Sequence, residues 1–192
     1  MNELAFLDGP SSEVAPRLLG CEFVRSFADG ETVRVRIVEV EAYDQADMAS
    51  HSYRGRTPRN DVMFGPYGHL YVYFTYGMHY CMNVVTGREG HGAGVLIRAV
   101  EPLEGEAIMQ ANRGGKSGAE LSNGPAKVCQ ALRIDKTWGG HDLLRAPLQL
   151  AARPSLLQEQ IVQTTRIGIT RAADVPWRFY IRGNPYVSRP SM

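Results

Sequence analysis

The sequence predicts an α+β fold: a single domain, residues 1–192, with a mostly antiparallel curved sheet, flanking helices and a protruding β-hairpin. Two observations support this class. Several segments have the alternating apolar pattern of strands, whereas few have the pattern of helices. A chain of 192 residues, 44% hydrophobic and 21% charged, is also long enough to bury one sizeable core.

The first predicted strand begins at Val33 and changes its pattern partway along. Apolar residues alternate through Ile37, after which Val38, Val40 and Ala42 lie on the opposite face. The change indicates either a bulge at this point or a strand that becomes buried on both faces. Either arrangement can direct a side chain of the strand into a pocket.

A β-hairpin is predicted next. Residues 69–75 alternate, with Tyr71 and Tyr73 on one face and apolar side chains on the other. Residues 76–78 are predicted to form the turn, because their central glycine can adopt unusual dihedral angles. Residues 80–85 form the return strand of this prediction.

The remaining elements follow from shorter signals. We expect a strand at 94–100, a helix at 103–111 and a late strand at 177–181. Segment 122–125 combines capping side chains with an early proline, which predicts a helix that runs through Leu132. The glycine-rich stretches 87–94 and 114–118 are predicted to be surface loops.

Composition excludes several classes of protein. The three cysteines, Cys21, Cys81 and Cys129, are far apart and odd in number, which argues against a disulfide framework and a zinc site. No metal-binding or phosphate-cradling motif is present, so we expect neither a metal nor a cofactor. No apolar run is long enough to span a membrane and the first residues are not typical of a signal peptide, so a cytoplasmic location is expected.

The basic residues are unevenly distributed between types. Net charge is only +1, and this value does not indicate a nucleic-acid partner. Lysine occupies only three of the 21 basic positions, so arginine, which binds phosphate oxygens in a bidentate way, dominates. Arg54, Arg56 and Arg59 cluster near His51, either as phosphate contacts or as a solvated loop.

Two patterns point to chemistry on a nucleobase. Glu39 and Glu41 stand at the end of an apolar strand, a setting that favours acid–base catalysis. Tyrosines crowd around the predicted hairpin turn, where they can stack on flat rings. Arg98 lies inside an apolar strand and therefore needs an anionic partner, in a structural ion pair or in a site.

These segments resemble the alkyladenine (3-methyladenine) DNA glycosylase family. The matching pieces follow one another in the same order over nearly the whole chain, from about residue 9 onwards: 38–43, 51–52, 57–60, 63–64, 70–83, 97–105, 124–132 and 178–183. The resemblance implies a fold similar to the C-terminal domain of a formyltransferase. It also implies a monofunctional DNA glycosylase that needs no cofactor.

The resemblance assigns three catalytic roles. Glu41 would be the general base that activates water, and Arg98 would help to hold Glu41 and that water. The backbone carbonyl of Ile167 would also contact the water. Glu39 is expected to be structural, and Glu41 could otherwise be an edge-strand carboxylate that faces solvent.

The resemblance also assigns a base-binding pocket. Tyr43, His51 and Tyr73 would stack around a flipped-out base, although core aromatics are the commonest use of such residues. Alkylated purines are cationic, and cations are attracted to aromatic faces. Asn83 would exclude the 2-amino group of guanine, or else it is an ordinary sheet amide.

Contacts with DNA form the last group. Tyr76 would fill the space left by the rotated nucleotide, with Met78 beside it at the turn, because large apolar side chains there need a covering partner. Lys127, near a helix start, is either a phosphate contact or a surface lysine. The other residues expected to contact DNA are Tyr71, Thr57, Arg59 and Met63.

The expected partner is therefore double-stranded DNA containing damaged purines such as 3-methyladenine, 7-methylguanine, ethenoadenine and hypoxanthine. No lysine occurs among residues 1–115, so the enzyme should use water alone and leave the sugar–phosphate backbone intact. We expect a monomer in a bacterial cytoplasm, associated with the nucleoid when it acts on DNA. The alternatives are a module that binds damaged bases without hydrolysis and an RNA-binding domain.

Overall fold

The computed structural model describes residues 3–188, so the ends of the predicted 1–192 domain lie outside the described residues. The strands and helices, in chain order, are α1 (Ser11–Leu18), β1 (Glu22–Ser26), β2 (Thr32–Tyr43), β3 (Leu70–Thr75), β4 (His79–Val85), β5 (Gly94–Glu104), α2 (Glu106–Asn112), α3 (Pro125–Leu132), β6 (Leu148–Ala151), β7 (Ile161–Thr164) and β8 (Arg178–Ile181). Short 3₁₀ turns lie between them.

One eight-stranded sheet organises the fold. Its main strand order is β3-β4-β5-β2-β1-β6, while β8 pairs with both β2 and β7. Every pairing between these strands is antiparallel. The predicted α+β class with an antiparallel sheet and flanking helices is therefore confirmed.

Strand β2 changes its neighbours along its length. Its first half pairs with β1, whereas Glu39–Glu41 pairs with β8. The register against β5 shifts on both sides of Glu39, which is the bulge that the apolar pattern predicted. Residues 37–42 are also buried on both faces, so the two predicted alternatives occur together.

The core lies on both faces of this sheet. The main cluster packs α1 and α3 against the sheet through side chains such as Leu18, Val128 and Phe23. A smaller cluster on the bulged part of β2 joins Val38 and Ala99 to Tyr180 and Val187 near the end of the described chain. The second half of β2 is thus buried by a segment that arrives late in the sequence.

Two sequence expectations need correction around α2 and α3. The helix predicted from residue 103 begins at Glu106, because Pro102 and Glu104 still pair with β2. The first turn of α3 has Gly124 at its cap and no side-chain hydrogen bond, so the expected capping side chain is absent there. Ser122 instead donates to the Val100 carbonyl at 2.5 Å.

Part of the glycine-rich stretch before β5 is also buried, contrary to the surface loop expected there. A Cβ on Gly92 would lie 2.6 Å from that of Ser52, and Ser52 Oγ donates to the Gly92 carbonyl at 2.6 Å. This close approach needs a glycine. Within the described residues, no helix is long and apolar enough to cross a membrane.

Candidate active site

Glu41 is completely buried and held by three groups. The carboxylate accepts hydrogen bonds from the Tyr43 hydroxyl at 2.9 Å and from the Ile167 backbone N–H at 2.8 Å. Arg98 Nη1 lies 3.3 Å from the same carboxylate. The alternative in which Glu41 faces solvent at a sheet edge is therefore wrong, because β5 and β8 flank it on both sides.

Arg98 has the anionic partners that its apolar strand required. Its Nε donates to Glu39 at 3.0 Å, and its Nη1 faces Glu41, so one guanidinium lies between two buried carboxylates. Burial opposes the charge of Arg98, but the carboxylates of Glu41 and Glu39 outweigh it and raise the Arg98 pKa. The arginine therefore remains a cation beside Glu41.

Glu39 is also completely buried, and three residues hold its carboxylate. Its carboxylate accepts hydrogen bonds from Arg98, from Arg178 Nε at 2.7 Å, and from the backbone N–H and hydroxyl of Ser188 at 2.6 and 2.8 Å. The sequence predicted a structural Glu39 and a carboxylate near Arg98, but it did not indicate Arg178 or Ser188. Nothing in the local pattern links those two residues to β2.

A cavity of about 210 Å³ lies beside this group. Its walls bring together side chains from β2, the β2–β3 connection, the hairpin and the loop after β7. The lining residues are Tyr43, Ala49, His51, Met63, Tyr71, Tyr73, Thr75, Tyr76, Asn83, Gly168 and Ile169. All four residues predicted to bind a base are among them.

The aromatic side chains of this cavity are mutually fixed. The rings of His51 and Tyr73 meet edge to face with centroids 4.5 Å apart, and His51 Nδ1 lies 3.0 Å from the Tyr71 hydroxyl. Burial, and then the charge of Arg59, lower the pKa of His51, so its imidazole is neutral near pH 7. Burial likewise raises the pKa of Tyr73, whose phenol stays protonated.

Asn83 is buried in β4 with its side chain at the cavity wall. Its Nδ2 donates to the Tyr71 carbonyl at 3.3 Å, which fixes the orientation of the amide. A second asparagine, Asn60, donates to the His51 carbonyl at 2.8 Å and so holds the loop that carries His51. Sequence reasoning did not select Asn60.

The hairpin tip carries the most exposed of the large apolar side chains. Tyr76 is 83% exposed and Met78 is 69% exposed. Tyr76 and Gly77 have positive φ angles of 50° and 68°, as a tight hairpin turn requires, and this conformation is unusual for tyrosine. Tyr76 also lines the cavity, so the turn stands at the cavity mouth.

The other residues expected to contact DNA differ in accessibility. Thr57 and Arg59 are exposed, whereas Met63 and Tyr71 are buried and line the cavity. Lys127 lies in the first turn of α3, with Nζ 3.0 Å from Glu120 and 2.7 Å from the Asn123 side chain.

Ile167 contacts Glu41 through its N–H, whereas the expected contact was from its carbonyl to a water. The preceding residue, Arg166, was missed entirely. It is buried and forms an ion pair with Asp47. A lone arginine in a loop carries no sequence signal. Arg166 is unusual only because it is buried, which is rare for arginine and is visible only in the structure.

The fold thus places a buried carboxylate next to an aromatic cavity and a protruding hairpin. The chain belongs to the methylpurine-DNA glycosylase family, whose model matches residues 5–185. It is therefore a DNA glycosylase, a DNA-repair enzyme that hydrolyses N-glycosyl bonds in DNA.

Close relatives support this assignment. A protein of Carboxydothermus hydrogenoformans is 54% identical over 177 residues, which cover 92% of each chain. A protein of Methanoculleus marisnigri is 53% identical over 188 residues, which cover 96% of this chain and 97% of that protein. Both carry the name "Putative 3-methyladenine DNA glycosylase".

Proposed function

We propose that the protein excises alkylated and deaminated purines from duplex DNA after rotating the damaged nucleotide into the aromatic cavity. Its substrates would be cationic bases such as 3-methyladenine and 7-methylguanine, and neutral ones such as ethenoadenine and hypoxanthine. The observation that carries this proposal is the junction of Glu41 with the cavity wall, through the 2.9 Å hydrogen bond from Tyr43.

Glu41 would act as the general base. A carboxylate oxygen can accept two hydrogen bonds, and among the described residues Oε2 accepts only the one from Tyr43. A water on the same oxygen would be oriented towards C1′ of a nucleotide whose base occupies the cavity. As the water attacks C1′, the N-glycosidic bond breaks, its electron pair leaves with the base, and Glu41 takes a proton from the water.

The cavity suits a flat cation. Tyr43, His51 and Tyr73 present aromatic surfaces, and the neutral state of His51 avoids repulsion of a positively charged purine. A cationic base leaves as a neutral molecule, so it needs no proton from the enzyme. A neutral base would need protonation or a hydrogen bond to its leaving nitrogen.

Asn83 would provide selection against normal guanine. Its amide is fixed in the wall by the hydrogen bond to the Tyr71 carbonyl, so it cannot easily turn aside for an additional amino group. The clash would fall on the 2-amino group of guanine. Adenine derivatives and hypoxanthine lack this group. 7-Methylguanine keeps it, and its excision would rely on its positive charge, which weakens the glycosidic bond enough to offset the clash.

The hairpin would open the duplex. Tyr76 and Met78 are large, apolar and uncovered by the described chain, and Tyr76 stands at the cavity mouth. Inserted from the minor groove, the Tyr76 ring would replace the rotated base in the stack. Thr57, Arg59 and Lys127 would contact the backbone, and the protein would act as a monomer.

The test is base release from duplexes carrying 7-methylguanine, ethenoadenine or hypoxanthine, with the undamaged duplex as control. We expect free base from the damaged duplexes and an unbroken abasic site in the product, because no lysine occurs among residues 1–115. DNA binding without base release would favour the binding-only alternative. A protein–DNA adduct trapped by borohydride would contradict hydrolysis by water alone.

A further inference from the structure

Arg166 and Asp47 form a buried ion pair behind the cavity wall. Their side chains are 0% and 2% exposed, and the guanidinium contacts both carboxylate oxygens, with Nη2 3.1 Å from Oδ1. Arg166 also donates to the Ala42 carbonyl at 2.9 Å and to the Ala172 carbonyl at 3.2 Å. A charged pair removed from water to this extent is costly unless it is well bonded. Both Nη atoms of Arg166 are hydrogen-bonded, whereas its buried Nε has no partner among the described residues.

The guanidinium lies over the ring of Tyr43, with its carbon 4.7 Å from the ring centroid. The ring of Trp177 is also within 5.4 Å of it. Tyr43 lines the cavity, whereas Arg166 does not. The Tyr43 ring therefore contacts a buried cation and also lines the space in which a base would stack.

A cation on one face of an aromatic ring affects what binds at the other. It draws π-electron density towards itself and repels a second cation through the ring, while it leaves the stacking of a neutral base nearly unchanged. The carboxylate of Asp47 opposes this repulsion. The charges of Arg166 and Asp47 therefore change the binding of a cationic base more than that of a neutral base.

We propose that the Arg166–Asp47 pair determines the preference of the cavity between cationic and neutral damaged purines. The positive charge of Arg166 weakens the attraction between the Tyr43 ring and a cationic base. The negative charge of Asp47 partly cancels this effect. Arg166 also positions the wall, since Ile167, Gly168 and Ile169 follow it directly. This inference rests on the proposed excision of both kinds of base.

The test is a competition between two labelled duplexes, one with 7-methylguanine and one with ethenoadenine, in the same sequence context. The measured quantity is the single-turnover excision rate of 7-methylguanine divided by that of ethenoadenine. In Arg166→Gln we expect this ratio to rise about three- to tenfold, because the cation is gone and Asp47 remains. In Asp47→Asn we expect it to fall by about the same factor, since Asn keeps the shape and unmasks Arg166.

Opposite changes of the rate ratio in Arg166→Gln and Asp47→Asn distinguish this role from simple support of the loop. Loss of support would lower both rates together and leave the ratio within about twofold in both variants, and this result would overturn the proposal. Arg166→Lys keeps the positive charge and should keep the ratio of the parent protein. Arg145→Gln is the control for net charge, since Arg145 is 82% exposed and paired with Asp142.

Two failures can be told apart. If the parent protein releases neither base, the proposed function itself is wrong. If the parent releases both bases and the two variants shift the ratio in the same direction or not at all, only the role of Arg166 and Asp47 is wrong. Asp47→Asn provides this answer even where Arg166→Gln does not fold, because the Asn oxygen still accepts a hydrogen bond from Arg166.

Discussion

The Tyr43 hydroxyl donates a 2.9 Å hydrogen bond to Glu41, so a side chain that lines the cavity is hydrogen-bonded to the proposed general base. Burial, reinforced by the charge of Glu41, raises the pKa of Tyr43 and keeps this hydroxyl protonated. The two residues are two positions apart on β2, where the bulge precedes them. Under the proposed function, one strand would therefore carry both a base-binding residue and the general base.

The first prediction concerns Glu41. Glu41→Gln keeps the shape of the site but removes the proton acceptor, so DNA binding should persist while excision falls by roughly 10²–10⁴. Single-turnover base release and a binding titration on the same duplex measure the two effects. Near-normal excision by the variant would exclude Glu41 as the base.

The second prediction concerns the stability supplied by Arg98. Arg98→Met would leave the fully buried Glu41 without its cation, while Glu39 would keep Arg178, and this change should lower the free energy of unfolding by roughly 3–5 kcal/mol. Denaturant unfolding measures this loss. The matched control is Arg36→Met, whose partly exposed pair with Glu101 should contribute only about 0–1 kcal/mol.

If the two arginine variants lose similar stability, the buried charges do not depend on Arg98 in the way that the contacts indicate. The loss in Arg98→Met should also decrease when Glu41→Gln is combined with it, since the uncompensated charge of Glu41 is then removed. A double-mutant cycle measures this coupling.

The third prediction concerns Tyr76. Base–aromatic stacking is worth roughly 1–3 kcal/mol, so Tyr76→Ala should weaken flipping about five- to a hundredfold. Ethenoadenine fluorescence in duplex DNA reports the unstacked state directly. Non-specific binding depends on phosphate contacts and should change much less.

Leu157→Ala is the control for Tyr76, because Leu157 is an exposed apolar residue, 62% accessible, outside the hairpin. It should leave both flipping and binding unchanged. If Tyr76→Ala flips ethenoadenine as completely as the parent protein, Met78 becomes the better candidate for the wedge.

The fourth prediction follows from His51. Burial lowers its pKa below the ordinary value of 6.5, so the folded protein binds fewer protons there than the unfolded chain. The stability that neutral His51 contributes is present above about pH 6.5 and is lost as the pH falls towards the lowered pKa. Unfolding free energies of the parent and of His51→Gln, measured from pH 7.5 down to pH 5, should converge or cross as the pH falls. A constant difference would show that His51 does not titrate differently on folding.

Much of the site was predictable from the sequence because local patterns report local geometry. The change of apolar phase after Ile37 predicted the bulge that precedes Glu41, and the apolar surroundings of Arg98 predicted a buried anionic partner. The alternation around Tyr71 and Tyr73 predicted the hairpin and the turn at Tyr76. Each inference needed only neighbours along one strand or turn.

The sequence alone determined the class of fold and the residue types at the site. Its local patterns did not distinguish the two carboxylates, and only the family resemblance singled out Glu41. Glu39 and Glu41 are two residues apart and are equivalent in any local pattern. Tertiary structure distinguishes them, because Ser188, 149 positions away, closes over Glu39, while Tyr43 connects Glu41 to the cavity. Arg166 and Asp47 meet across 119 positions for the same reason. Periodicity in the sequence predicts which face of a strand a side chain occupies. Which segment covers that face depends on the packing of the whole chain.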